Sequence, residues 1–153
     1  QIMKVIDHNF IFIDTDFQTQ KELFTFLAEQ VLSSKRGNDL DKIVEGFYER
    51  EQEFSTAMDN YIAIPHCRNE NILQATVIVV RNKTEIKWTD NENVKLFFAL
   101  LVPGSNENQM HIRILAQVAQ LIMEEDFIEL VNKANNSDQI YQRLSVLNHL
   151  QEG

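Results

Sequence analysis

At 153 residues, 44% hydrophobic and 24% charged, the chain is long enough to bury a sizeable core without disulfides or a structural metal, and it reads as one globular domain spanning residues 1–153. The net charge is -9, and Lys and Arg are scattered, whereas nucleic acid and anionic membrane both demand a concentrated basic footprint. Both are therefore excluded as expected partners, while a protein with a basic face stays open.

A single cysteine excludes an internal disulfide and Cys-rich metal spacing, which suits a reducing compartment. Apolar runs such as "KLFFALLV" are too short to span a bilayer and no signal-peptide pattern is visible, so a cytoplasmic location is expected. The first residue is Gln1, compatible with a processed product, an expression scar or a segment of a longer protein. No linker composition and no internal repeat divides the chain.

In chain order, "NFIFI" (9–13) predicts a strand. "TQKELFTFLAEQVLSS" predicts a helix with Thr19 as N-cap and Glu22 as its capping-box partner, with Leu23, Phe26, Leu27 and Val31 on one face. Gly37 and Asn38 stop it, and Leu40, Ile43, Val44 and Phe47 mark a second helix that ends on Glu49, Arg50 and Glu51. "QEFSTAMDN" (52–60) reads as a loop leading into "YIAI", which Pro65 should end. Strands are then expected at "ATVIVV" (75–80), "EIKW" (85–88) and "VKLFFALLV" (94–102), the last covered on both faces. "PGSNENQ" (103–109) breaks the pattern. Helical spacing follows, through Met110, Ile114 and Val118, then Phe127 and Val131, then Ile140 and Leu144 behind a Ser137 cap. These elements predict an α/β or α+β sandwich, a mixed sheet of about five strands flanked by helices.

Chemistry concentrates at "IPHCR" (64–68). Proline lacks an N–H and marks a strand end or edge, so His66 should emerge at the sheet margin. An imidazole there, with an ordinary pKa near ~6.5, keeps one lone pair available at neutral pH. Position alone leaves two readings open: a nucleophile, or a half-buried ring satisfied by backbone groups. His111 falls in the first turn of a helix, where unpaired N–H groups favour anions, and it reads equally as an ordinary exposed residue. Cys67 adjoins His66, but neighbours in extended chain point to opposite faces, so a small buried residue is expected and not a Cys–His pair. No spacing supports zinc, and no glycine-rich nucleotide loop or Gly-x-Ser-x-Gly is present. His8 and His149 have no evident chemical neighbour.

Four segments in order, "YEREQEFST", "IAIPHCR", "WTDNENVKLFFALLVP" and "NQMHIRILAQVAQLIMEEDFIELV", resemble the enzyme IIA domains of the bacterial phosphoenolpyruvate:sugar phosphotransferase system, fructose–mannitol class. The resemblance implies that His66 accepts a phosphoryl group from the carrier protein HPr and passes it to enzyme IIB during sugar uptake. A regulatory domain of the same fold, nitrogen-type or fused to a transcription regulator, is the alternative. It implies that His111 holds phosphoryl oxygens, that Arg50 is the nearby cation, and that Ser55 or Thr56 adds a hydroxyl. No metal or organic cofactor is implied. A partly apolar docking patch is expected around residues 61 to 66 and the start of the His111 helix, with Tyr61 and Met110 as candidates. In the family the loop before the strand is usually glycine-rich, whereas here it reads Ala57, Met58, Asp59, Asn60 and Tyr61.

Overall fold

The computed structural model describes residues 4–105 and 109–152, so Asn106, Glu107 and Asn108 of the expected polar break lie outside the described residues. A 3-10 turn, His8–Phe10, precedes strand β1 (Ile11–Thr15). The strand thus starts later than its β-branched and aromatic run suggests, because the Asp7 side chain accepts from the Asn9 N–H at 2.8 Å and folds those residues into a turn.

Helix α1 (Gln20–Ser33) is capped as expected by Thr19, whose hydroxyl oxygen accepts from the Glu22 N–H at 3.1 Å. The Glu22 carboxylate accepts instead from the Gln18 N–H at 2.9 Å, so the reciprocal bond of the capping box reaches one residue further out than predicted. Helix α2 (Leu40–Glu53) opens on Asp39, and its carboxylate accepts from the Lys42 N–H.

The segment expected to be all loop contains a short strand, β2 (Ala57–Met58), and β3 (Ile62–Ala63) and β4 (His66–Asn69) follow. The two strands anticipated at 75–80 and 85–88 are one bulged strand, β5 (Thr76–Thr89), with a register shift between Arg81 and Ile86. Its polar middle looks like a turn in sequence, yet Asn82 is buried there and spends its amide on Phe17, Thr15 and Thr84. Strand β6 (Glu92–Pro103) is the long apolar strand. Helices α3 (Met110–Ile122), α4 (Glu125–Lys133) and α5 (Ser137–Leu144) and a 3-10 segment (Ser145–Glu152) complete the chain. The cap of α5 is Asn136, which accepts from the Asp138 N–H at 2.9 Å; Ser137 is already the first helical residue.

The sheet has six strands in the order β1-β5-β6-β3-β2, with β4 also paired to β6. It is mixed: β5 and β6 run antiparallel, while β1 joins β5, and β3 and β4 join β6, in parallel. Consecutive residues of β6 show how both faces are covered. Phe97 packs on Trp88, which meets Phe24 of α1 and through it Phe47 of α2. Phe98 turns the other way, onto Phe127 of α4. Full burial of such side chains is worth roughly 1.5–3 kcal/mol each. Every residue of β6 from Leu96 to Val102 is buried, as a strand between two helical layers requires.

Candidate functional site

The ladder along β6 is interrupted where the sequence places proline, and then resumes. Ile62 and Ala63 pair with Leu96 and Phe97, and His66 to Asn69 pair with Leu100 to Pro103. Between them the Ile64 N–H donates to the Thr56 carbonyl at 3.2 Å, and the Pro65 carbonyl accepts from the Leu100 N–H at 2.9 Å. Pro65 therefore marks a break and not the end of pairing, which corrects the expectation of a terminated strand. His66 is the first residue of β4, which pairs with β6 alone and so lies at a sheet edge.

The bonding of the His66 ring fixes its tautomer. Arg50, near the end of α2, places its Nε 2.9 Å from Nε2 of His66. A guanidinium only donates, so Nε2 accepts and carries the lone pair. Nδ1 lies 2.9 Å from the Ile64 carbonyl oxygen, which only accepts, so Nδ1 carries the proton. Burial of the half-buried ring holds its pKa below the ordinary histidine value; the Ile64 bond pulls the other way, and the Arg50 charge adds to the lowering. The ring is held as a neutral imidazole at neutral pH, with a lone pair directed at a cation.

Arg50 is itself positioned, because its Nη1 donates to the Phe54 carbonyl at 2.6 Å just past the helix end. Glu51 accepts from the Thr56 N–H at 2.9 Å, from the Thr56 hydroxyl, and from Trp88 Nε1 at 3.0 Å, tying the end of α2 to the following loop and to β5. Sequence reasoning missed Glu51 as the organiser of this corner; the signal available was a carboxylate beside the helix-end arginine, with a Ser-Thr pair and the only tryptophan elsewhere in the chain. The hydroxyl of Ser55 donates to Glu92 at 2.6 Å, and that of Thr56 donates to Glu51, so both hydroxyl protons are engaged by carboxylates.

His111 is the second residue of α3 and is partly exposed. Its pKa is lowered by desolvation first and by the charge of Arg68 second. Gln109 caps α3 in a left-handed conformation with no side-chain cap bond, so the helix start is not closed by its own sequence. Cys67 faces away from His66, as alternation predicts. It is buried against Gly46 of α2, accepts from Asn69 Nδ2 at 3.4 Å, and its thiol is pushed up to about 12 by burial. Beside His66 opens a cleft of about 440 Å³ whose walls include Lys42, Glu49, Arg50, Arg68 and Asn69; His111 is not among its lining residues. Among the described residues no group of three or more His, Cys, Asp or Glu side chains is placed to hold a metal ion, and no helix is long and apolar enough to cross a membrane.

The chain matches, over residues 4–146, the family described as "Phosphoenolpyruvate-dependent sugar phosphotransferase system, EIIA 2". It is 28% identical to Multiphosphoryl transfer protein 2 of Escherichia coli strain K12 over 91% of its own length but only 16% of that protein's. It is 31% identical to a nitrogen regulatory protein of Shigella flexneri, covering 82% of this chain and 77% of the relative. With the fructose-specific EIIA component of Haloferax volcanii it shares 27% identity over 83% of each chain. Two solved structures share the fold. The nitrogen regulatory protein IIA-Ntr of Neisseria meningitidis superposes with a TM-score of 0.81 at 24% identity, covering 92% of this chain and 96% of that one. Enzyme IIA-mannitol of Escherichia coli, in complex with phosphorylated enzyme IIB-mannitol, gives 0.76 at 18% identity, covering 92% and 97%.

Proposed function

Since the chain belongs to the EIIA 2 family of the phosphoenolpyruvate-dependent sugar phosphotransferase system, we propose that it is a phosphocarrier in which Nε2 of His66 takes a phosphoryl group from phospho-HPr and hands it to an enzyme IIB during sugar uptake. The observation that carries this reading is the pinned tautomer: Nδ1–H on the Ile64 carbonyl and the Nε2 lone pair turned to Arg50.

The electrons balance without a proton relay. The Nε2 lone pair forms the new N–P bond as the donor's N–P bond breaks, and the donor ring leaves as neutral imidazole with that electron pair. The Nδ1 proton of His66 stays in place throughout, and the Ile64 carbonyl stabilises the positive charge that the ring acquires. Arg50 must yield Nε2 to phosphorus, and its N–H groups then meet the phosphoryl oxygens, where charge spreads in the transition state. His111 supplies a further donor to those oxygens from the start of α3. Ser55 and Thr56 contribute hydroxyls only by exchanging Glu92 and Glu51 for phosphate; as they stand they shape the loop that delivers β3. Onward transfer reverses the first step, with a nucleophile on enzyme IIB attacking phosphorus and the His66 ring leaving neutral.

Incubation with phosphoenolpyruvate, enzyme I and HPr should add one acid-labile phosphoryl group, and His66→Ala should abolish it. His111→Ala should still take the label but pass it on about 10²–10³-fold more slowly, the usual loss for one well-placed donor. Label retained in His66→Ala would overturn the assignment. The 31% identity to a nitrogen regulatory protein supports a second reading, in which phosphorylation of the same histidine controls binding. Phosphoryl exchange with a purified enzyme IIB separates the two.

A further inference from the structure

Arg68 stands two positions beyond His66 in β4, and alternate residues of a strand share a face about 6.5–7 Å apart. The intervening Cys67 and the following Asn69 point to α2: the first abuts Gly46, and the second donates to the Lys42 carbonyl at 3.2 Å. Alternation puts His66 and Arg68 on one side of the strand, and both line the edge cleft of about 440 Å³, whose other walls include Lys42, Glu49 and Arg50 of α2 and Asn69. The Arg68 side chain is anchored by one bond, Nη2 to the Gly104 carbonyl at 3.1 Å, which uses one of the five donors in a guanidinium fork. Its positive charge is also the one that acts on His111. Arg68 thus lines the cleft beside His66 while its charge reaches His111 at the start of α3.

Resting on the phosphocarrier reading, we propose that Arg68 is a second phosphoryl-binding cation, its guanidinium meeting an oxygen of the phosphoryl group on His66 from the strand while Arg50 meets the group from the helix end. Two guanidinium groups suit a doubly charged phosphoryl better than one, because each offers paired N–H donors to separate oxygens. The bond to Gly104 sets the direction of the side chain in advance, which lowers the entropy lost on binding. A purely structural Arg68 would tie β4 to the end of β6 and nothing more.

Phosphorus-31 NMR titration of the phosphorylated protein distinguishes these roles, since a cation against the phosphoryl favours its dianion. In Arg68→Gln the phosphoryl titration should move to higher pH, and acceptance from phospho-HPr should slow by about tenfold, below the loss for a fully enclosed donor because the side chain is exposed. Arg68→Lys, which keeps charge but loses the fork, should fall between the two and also serves if Arg68→Gln fails to fold. An unmoved titration in a folded variant overturns the proposal, even where acceptance is slowed. Failure of the unaltered protein to be labelled at His66 overturns the phosphocarrier reading and this proposal together; a labelled protein with an unmoved titration overturns Arg68 alone.

Discussion

Gly46→Ala probes the contact that sets His66 against Arg50 without touching either residue. Gly46 lies one turn before Arg50 in α2, and a Cβ there would stand 2.6 Å from Cys67 Sγ and 2.9 Å from Asn69 Nδ2, both on the strand that begins with His66. Ordinary contact distances are about 3.5–4 Å, so helix and strand must separate by about 1 Å. Alanine gains about 1 kcal/mol of helix propensity over glycine, against an overpacking cost of about 1–3 kcal/mol, for an expected net loss of about 0–2 kcal/mol. The same displacement would stretch the 2.9 Å bond from Arg50 to His66 beyond useful length. Acceptance of the phosphoryl group should fall by up to about 10²-fold, the scale associated with a misplacement of that size.

Urea unfolding and the rate of labelling by phospho-HPr measure the two effects. Cys67→Ala removes the sulfur that a new Cβ would strike, leaving Cys67 Cβ at 3.8 Å and the movable end of Asn69. The double variant should therefore be more stable than the sum of the single changes by about 1 kcal/mol or more, a coupling expected of residues in direct contact. Strict additivity, or a Gly46→Ala protein more stable than the unaltered one, would refute the reasoning.

Proton NMR titration should place the His66 midpoint below the ordinary value of 6.5, and Arg50→Gln should move it upward. Because the folded pKa is depressed, the unfolded chain binds more protons just below 6.5; this contribution to stability is complete above 6.5 and is lost as pH falls through the folded value, and a midpoint at or above 6.5 would contradict it. Cys67, with its thiol pushed up to about 12, should resist iodoacetamide at pH 8 until urea unfolds the chain; modification of the native protein would show the burial to be wrong. Tyr61 holds a φ of 63°, so Tyr61→Gly should raise stability by about 0.5–1 kcal/mol in urea unfolding, the relief of left-handed strain less the extra freedom of glycine in the unfolded chain.

What the sequence made legible follows from how local each signal is. The cap at Thr19, the buried run of β6 and the emergence of His66 at a sheet margin each depend on a few neighbouring residues, and each is present. The continuity of β5 depends on partners far along the chain: Asn82 is tolerated inside a strand because Thr15 and Phe17 engage its amide. The loop that replaces glycines with ordinary residues keeps a glycine-like backbone all the same, since Asn60 and Tyr61 both adopt positive φ, 66° and 63°. Tyr61 is exposed, as a docking residue requires, whereas Met110 is packed partly against the core. The tie from Glu51 to Trp88 and the bond from Arg68 to the Gly104 carbonyl were hidden for the same reason, because these partners are distant in sequence.

The interruption at Pro65 connects the fold to the chemistry. In an unbroken ladder the Ile64 carbonyl would accept a backbone N–H from a neighbouring strand. Here the Ile64 N–H turns to Thr56, and the Ile64 carbonyl receives the Nδ1 proton of the ring two residues on. The ring is thereby locked in the one tautomer whose lone pair faces the cleft and Arg50. On an unbroken strand the ring would lose this acceptor, and Arg50 alone would keep the lone pair on Nε2. The proline thus acts through the carbonyl it leaves available, and the loop that supplies Thr56 is as much a part of the site as the ring it helps to orient.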